Sequence, residues 1–168
     1  MNNIVFIGMP GAGKSTLGVL TAKTLGMNFV DSDILIQQKE GKLLQEIIDR
    51  KGIRGFLEIE EKCICETEFQ NSVISTGGSV VYSIKAMKTL KKAGVVVYLK
   101  ISLTEMIRRI NNITTRGIVL EKGQSLQDLY MERTPLYERY ADITAEGDGK
   151  NVEQLLEVVI DALNMISK

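Results

Sequence analysis

The stretch Gly8-Met9-Pro10-Gly11-Ala12-Gly13-Lys14-Ser15 places three glycines, a lysine and a hydroxyl directly after the apolar run 4–7. This is the G-x-x-x-x-G-K-S/T pattern of a loop that cradles the phosphates of a nucleoside triphosphate. Backbone N–H groups converging on a helix start make a concave anion site. Lys14 adds a cation within reach of the β- and γ-phosphates, and the Ser15 hydroxyl suits Mg²⁺, a hard ion that prefers oxygen. Gly11, Ala12, Gly13, Lys14, Ser15 and Thr16 are therefore the expected nucleotide-binding set, with ATP and Mg²⁺ as cofactors.

Asp31-Ser32-Asp33 follows the short apolar run 29–30, which puts both acids where ligands of open α/β sheets bind. Asp31 is expected to face the Mg²⁺ shell and Asp33 an acceptor hydroxyl. Capping of the next helix by Asp31 or Ser32 is the structural alternative. Ser75-Thr76-Gly77-Gly78-Ser79 follows the run 73–74. Its paired glycines suit close backbone approach to a ligand, or a plain tight turn. Arg108, Arg109, Arg116 and Arg133 supply cations. Charge developing on a transferred phosphoryl group is best met by a guanidinium that arrives as the site closes, which favours Arg116. Each arginine alone is otherwise an ordinary surface charge. With no histidine in the chain, a proton acceptor must be a carboxylate, lysine, tyrosine or water.

The elements that position these groups are short apolar runs at 4–7, 29–30, 73–74 and 95–99, separated by stretches of helical character. Continuous hydrophobicity in Val95-Val96-Val97-Tyr98-Leu99 predicts a strand covered on both faces. The chain thus reads as an α/β fold of βαβ units, a parallel sheet between helical layers. Thr16 to Leu25 forms the first helix, with Leu17, Leu20 and Leu25 near one face and Gly26 as its stop. Asp142-Ile143-Thr144 is a weaker last strand. The terminal helix carries Val152, Leu155, Leu156, Val159, Ile160 and Leu163 on its apolar side. A mostly helical insertion over about 33–60, broken near Gly41, Gly52 and Gly55, is a natural substrate platform. The segment 111–124, with Arg116-Gly117 and Lys122-Gly123, reads as a lid.

Length suits one domain over 1–168, large enough to bury about two-thirds of its unfolded surface. Lys+Arg and Asp+Glu both number 21, so no global field draws the chain to nucleic acid or an anionic membrane. Cys63 and Cys65 stand two apart in a helical stretch, on different faces, so they do not easily pair; with no histidine and no other cysteine a structural zinc site is not expected, and both read as buried or half-buried thiols. The amino terminus lacks a basic leader, and the first apolar run is far shorter than the roughly 18 residues of a membrane span. A cytoplasmic monomer acting on a small hydroxylated acceptor is the expectation.

With these pieces in order, the chain resembles the shikimate kinase family over nearly its whole length. The resemblance rests on the loop 8–15, Asp31-Ser32-Asp33, Phe56 with Glu60, Gly77-Gly78, Arg116, and Arg133-Thr134-Pro135-Leu136-Tyr137. It implies a three-layer αβα fold of the P-loop nucleoside-monophosphate-kinase type, with a five-stranded parallel sheet. It also implies ATP-dependent phosphorylation of the 3-hydroxyl of shikimate, a step of aromatic amino acid biosynthesis. Lys14 and Arg116 would then contact phosphates, Ser15 and Asp31 the Mg²⁺ and its waters. Asp33 would hold substrate hydroxyls, Arg133 the shikimate carboxylate and Arg109 the adenine face, with Glu60, Gly77 and Gly78 completing the acceptor site.

Three positions depart from the family pattern. Leu57 stands where the family has an arginine that holds the substrate carboxylate and pairs with Glu60. Ser79 replaces the third glycine of a Gly-Gly-Gly turn, and Gly117-Ile118-Val119 replaces Pro-Leu-Leu. Losing one charge-assisted bond of roughly 1.5–3 kcal/mol weakens carboxylate binding about ten- to a hundredfold. Arg54, three residues before Leu57, is the expected replacement if both share a helix face. The alternatives are a relative with a different hydroxylated acceptor, a nucleotide-dependent switch, or a nucleoside monophosphate kinase. No Asn-Lys-x-Asp element of guanine-specific switches occurs, and the Asp-x-Asp turn with Arg-x-Pro-Leu-Tyr argues against a nucleotide acceptor.

Overall fold

A computed structural model of the chain describes residues 3–110 and 118–166. Five parallel strands, β1 (Asn3–Ile7), β2 (Asn28–Asp31), β3 (Ser72–Ser75), β4 (Val95–Lys100) and β5 (Ile143–Glu146), lie in the order β2-β3-β1-β4-β5. Pairing runs Ile4↔Val73 and Ile4↔Val95 on the two sides of β1. Every residue of β1 is buried, as are the four central residues of β4. That is why both read as unbroken apolar runs, because helices cover both faces. β5 alternates buried Ile143 and Ala145 with exposed Thr144 and Glu146. It begins at Ile143, one residue after the expected Asp142, whose carboxylate accepts the Val96 N–H.

The helices are α1 (Lys14–Leu25), α2 (Ser32–Glu40), α3 (Leu44–Cys65), α4 (Ile84–Ala93), α5 (Leu103–Ile110), α6 (Leu126–Tyr140) and α7 (Val152–Ile166). α1 starts as the phosphate loop ends, because Gly13 turns the backbone at φ 92°, where a side chain is strained. It ends at Gly26, as expected. Its buried face differs from the expected leucine stripe. Leu17, Gly18, Thr21 and Ala22 face inward and Leu25 is exposed. Gly18 explains this, since a Cβ there would stand 2.7 Å from the Phe29 ring. Helix and β2 approach too closely for a larger residue. On α7 the inward residues narrow to Leu155, Val159 and Leu163.

The main core is the sheet with α1, α4, α6 and α7, anchored by Phe6, Leu17, Met87, Tyr98, Tyr137 and Val159. A second apolar cluster holds the insertion together: Ile36, Leu44, Ile47, Phe56 and Cys63 from α2 and α3, with Val119 arriving from the far side of the cleft. α2 stops at Gly41, and α3 kinks at Gly52 with φ 71° and ψ 175°. The expected break at Gly55 does not occur, and the helix runs on through it. Cys63 is buried, Cys65 exposed, and both are free thiols. Among the described residues, no helix is long and apolar enough to cross a membrane.

Candidate active site

The carboxyl ends of β1, β2 and β3 open into one cleft of about 330 Å³, lined by residues of the phosphate loop, Asp33, Phe56, Thr76 to Ser79, Arg109, Ile118, Val119 and Arg133. Its nucleotide end is made mainly of backbone. A Cβ at Gly8, whose φ is 148°, would lie 2.6 Å from the Leu99 carbonyl oxygen, so only glycine lets the loop leave β1 there. Lys14 is buried, and its Nζ donates to the carbonyls of Gly8 and Met9 at 2.9 Å. Arg109 of α5 lies along the loop, donating from Nη1 to the carbonyls of Gly11 and Ala12 at 3.2 Å. Glu105 orients it through Nε at 2.6 Å. Arg108 also binds Glu105, and the two guanidiniums hold that carboxyl down at about 2.

Asp31 caps the next helix, and its second carboxylate oxygen turns to the phosphate loop. Its Oδ1 caps α2 by accepting from the Asp33 and Ile34 N–H groups, while its Oδ2 accepts from the Ser15 hydroxyl at 2.7 Å. The Ser75 hydroxyl lies 3.2 Å from that of Ser15. These oxygens suit Mg²⁺, which takes one or two protein ligands and fills its octahedron with water and phosphate. Ser75 belongs to this group although it went unassigned at the sequence level. Its signal was its place at the end of β3, in register with Asp31 at the end of β2.

The acceptor end is made of side chains drawn from distant elements. Ser32 is buried and accepts the Gly77 N–H at 3.0 Å, tying the Asp-Ser-Asp turn to the glycine turn. Gly77 has no room for a side chain. A Cβ would stand 2.8 Å from Asp33 Oδ1 and 2.7 Å from Glu60 Oε1. One at Gly78 would stand 2.9 Å from Arg133 Nη1. Arg133 is 1% exposed. Its Nη2 donates to the Val119 carbonyl at 2.9 Å, its Nε to the Tyr82 hydroxyl at 3.3 Å, and its guanidinium lies 5.2 Å over the Tyr82 ring. Tyr82 in turn donates to Glu132. Neither Tyr82 nor Glu132 carried a signal, because only the 3₁₀ turn Val80–Tyr82 brings the tyrosine to Glu132 on α6.

Glu60 is 2% exposed. The Ser79 hydroxyl donates to its Oε2 at 2.8 Å, and Oε1 has no hydrogen-bond partner among the described residues. Burial lifts its carboxyl to about 8, opposed by the Ser79 bond, reinforced by Asp33 and opposed again by Arg133. Two departures in the sequence therefore meet on one group. Leu57 brings no guanidinium to Glu60, and Ser79 gives it a hydroxyl.

Arg54 is not brought to the cleft. Its side chain is 95% exposed and pairs with Glu58 at 3.4 Å, one helical turn on. Leu57, three positions later, is half-buried against the second apolar cluster. The kink at Gly52 and the burial of Phe56 and Glu60 set the rotation of α3, and that rotation turns Arg54 outward. Arg116, with 111–117 of the expected lid, lies outside the described residues. The remaining expected residues, from Gly11 to Thr16 with Asp31, Asp33, Glu60, Gly77, Gly78, Arg109 and Arg133, stand at this sheet edge or on the elements around it.

A family model described as shikimate kinase matches residues 10–164. The chain belongs to the shikimate kinase family. It is a kinase by that membership, with the three-layer αβα fold. It is 37% identical over 161 residues to a shikimate kinase of Sulfurihydrogenibium sp., covering 95% of this chain and 96% of that one. It is 36% identical over 166 residues to one of Haemophilus influenzae, covering 96% and 92%. Among solved structures, the shikimate kinase of Acinetobacter baumannii in complex with shikimate superposes with a TM-score of 0.90 at 30% identity, over 98% of this chain and 94% of that one.

Proposed function

We propose that this chain transfers the γ-phosphoryl group of ATP to the 3-hydroxyl of shikimate. The observation that carries this reading is the single cleft in which the Lys14 loop and the Asp33–Arg133 end face each other across Gly77 and Gly78. The loop N–H groups and Lys14 bind the triphosphate, and Arg109 borders the position of the adenine. Ser15 and Asp31 would hold Mg²⁺ and its waters, and the ion would supply positive charge against the phosphates. Asp33 accepts a hydrogen bond from the acceptor hydroxyl and orients it for in-line attack. The hydroxyl proton leaves to this carboxylate or to water as the new O–P bond forms and the bond from the γ-phosphorus to the bridging β–γ oxygen breaks, with ADP as the leaving group. Because such transition states are largely dissociative, positioning outweighs base strength. Arg133, pinned by Tyr82 and the Val119 carbonyl, offers its guanidinium to the acceptor's carboxylate. Arg116, outside the described residues, is the further cation proposed for the phosphates.

ADP release coupled to NADH oxidation, with shikimate as acceptor, tests the reading. Turnover with saturation in both substrates supports it, and none at millimolar shikimate removes shikimate as acceptor. Asp33→Asn abolishes transfer while ATP binding, read by calorimetry, persists. A second reading, another hydroxylated acid with its carboxylate on Arg133 alone, is favoured by one observation. Leu57 packs in an apolar cluster and Arg54 points to solvent, so no second described guanidinium is seen beside Arg133. A panel of hydroxy acids in the same assay separates the two.

A further inference from the structure

Glu60 is a buried carboxyl that the reaction above does not use. It stands directly behind the floor of the acceptor end. Its Oε1 and Asp33 Oδ1 lie 2.7 and 2.8 Å from the single point where a Gly77 Cβ would be, so these oxygens are at most about 5.5 Å apart, within range of strong mutual repulsion. An ionised carboxylate fully out of water, with one oxygen unpaired and a second acid at that distance, is a costly arrangement. A proton on Glu60 removes the cost. Ser79 holds Oε2 in place, and so fixes Oε1 toward Gly77 and Asp33.

The groups that face Glu60 come from every neighbouring element. Asp33 lies on α2, Arg133 and Tyr137 on α6, and Cys63 on its own helix. Burial raises both the Tyr137 phenol and the Cys63 thiol above their ordinary values, which carries them away from neutrality. Arg133 is a permanent cation and makes no ion pair with an acid among the described residues; it bonds the Tyr82 hydroxyl and the Val119 carbonyl and lies over the Tyr82 ring.

We propose that Glu60, seated on Ser79 behind Gly77, is a positioning and specificity residue of the acceptor site. As a neutral acid it leaves the Arg133 guanidinium to an anionic acceptor, and on ionising it competes for that guanidinium and repels the acceptor's carboxylate. This rests on the reading that the acceptor is an acid such as shikimate. The raised carboxyl, at about 8, puts the change at the alkaline edge of neutrality, so acceptor affinity falls as pH rises through that value.

The test is the KM for shikimate and for ATP from pH 6.5 to 9.5 in the unmodified protein, Glu60→Gln and Ser79→Ala. In the unmodified protein the shikimate KM rises about fivefold between pH 7 and 9, as a group near 8 goes from mostly protonated to mostly ionised, and the ATP KM does not follow. Glu60→Gln keeps a flat shikimate KM. Ser79→Ala, which removes the bond that lowers the Glu60 carboxyl, moves the inflection to higher pH. A flat profile in the unmodified protein, or the same rise in Glu60→Gln, overturns the inference and leaves the acceptor assignment standing. No shikimate turnover at any pH overturns that assignment and the inference with it. A readout independent of turnover is thermal stability. The folded state keeps the Glu60 proton up to about 8 while the unfolded chain loses it near 4.5, so the contribution is complete below the lower value and lost as pH rises through the upper one. The Tm of the unmodified protein therefore falls relative to Glu60→Gln across that window, and a constant gap overturns the protonated Glu60.

Discussion

The two ends of the cleft are built by different means. At the nucleotide end, contiguous residues of one loop make the cradle, and Arg109 of α5 and Asp31 of β2 are bonded to it. Lys14 rests on Gly8 and Met9, Arg109 on Gly11 and Ala12, Ser15 on Asp31. At the acceptor end the participants come from α2, α3, the turn after β3 and α6. The site there contains a buried acid with one oxygen that has no partner among the described residues. A backbone cradle depends on φ values that glycine alone adopts freely and tolerates little change. A side-chain site can exchange one partner for another, as Ser79 and Leu57 show around Glu60, and specificity can therefore shift there while phosphate chemistry stays.

Breaking the nucleotide end has the larger effect. Lys14→Met removes a buried cation aimed at the phosphates, and kcat/KM falls about 10²–10³-fold or more, the scale of losing one preorganised charge donor. Steady-state kinetics with circular dichroism to verify folding measure this, and a loss under tenfold would place the phosphates elsewhere. The acceptor end answers to a gain. Leu57→Arg puts a guanidinium three residues before Glu60 on the same helix, and the shikimate KM drops about tenfold, roughly the worth of one charge-assisted hydrogen bond. An unchanged or higher KM means that position 57 does not reach the acceptor. The smallest effect sharpens the contrast. Arg54→Ala removes an exposed i,i+4 pair with Glu58, a contact worth little in water. Its shikimate KM stays within about twofold, and a tenfold rise would bring Arg54 back to the site.

Much of the scaffold was legible because local rules sufficed. The runs 4–7 and 95–99 became β1 and β4 since strands buried on both faces show continuous hydrophobicity. Gly26 and Gly41 ended helices where the chain needs a left-handed residue. The face of α1 was misjudged because Gly18, silent in a hydrophobic pattern, governs how closely the helix meets Phe29. Arg54 was misjudged because an i,i+3 spacing says two side chains are neighbours without saying which of them faces inward. Asp31 shows the opposite case: capping was set against a role in the Mg²⁺ shell, and the cap uses one carboxylate oxygen while the other accepts from the Ser15 hydroxyl, so the two roles do not compete for the same atom.

By itself the amino-acid order determined the phosphate loop, the parallel sheet and the family, because each depends on residues close in the chain or on the period of burial. Only the tertiary structure decided that Ser79 holds Glu60, that Arg133 is locked between Tyr82 and Val119, and that Arg54 stands in solvent. Those outcomes turn on the rotation of α3 about its Gly52 kink and on contacts between residues 14 to 51 positions apart. No local pattern encodes them, since the energy that selects them comes from burying Phe56 and its apolar neighbours against partners from other elements.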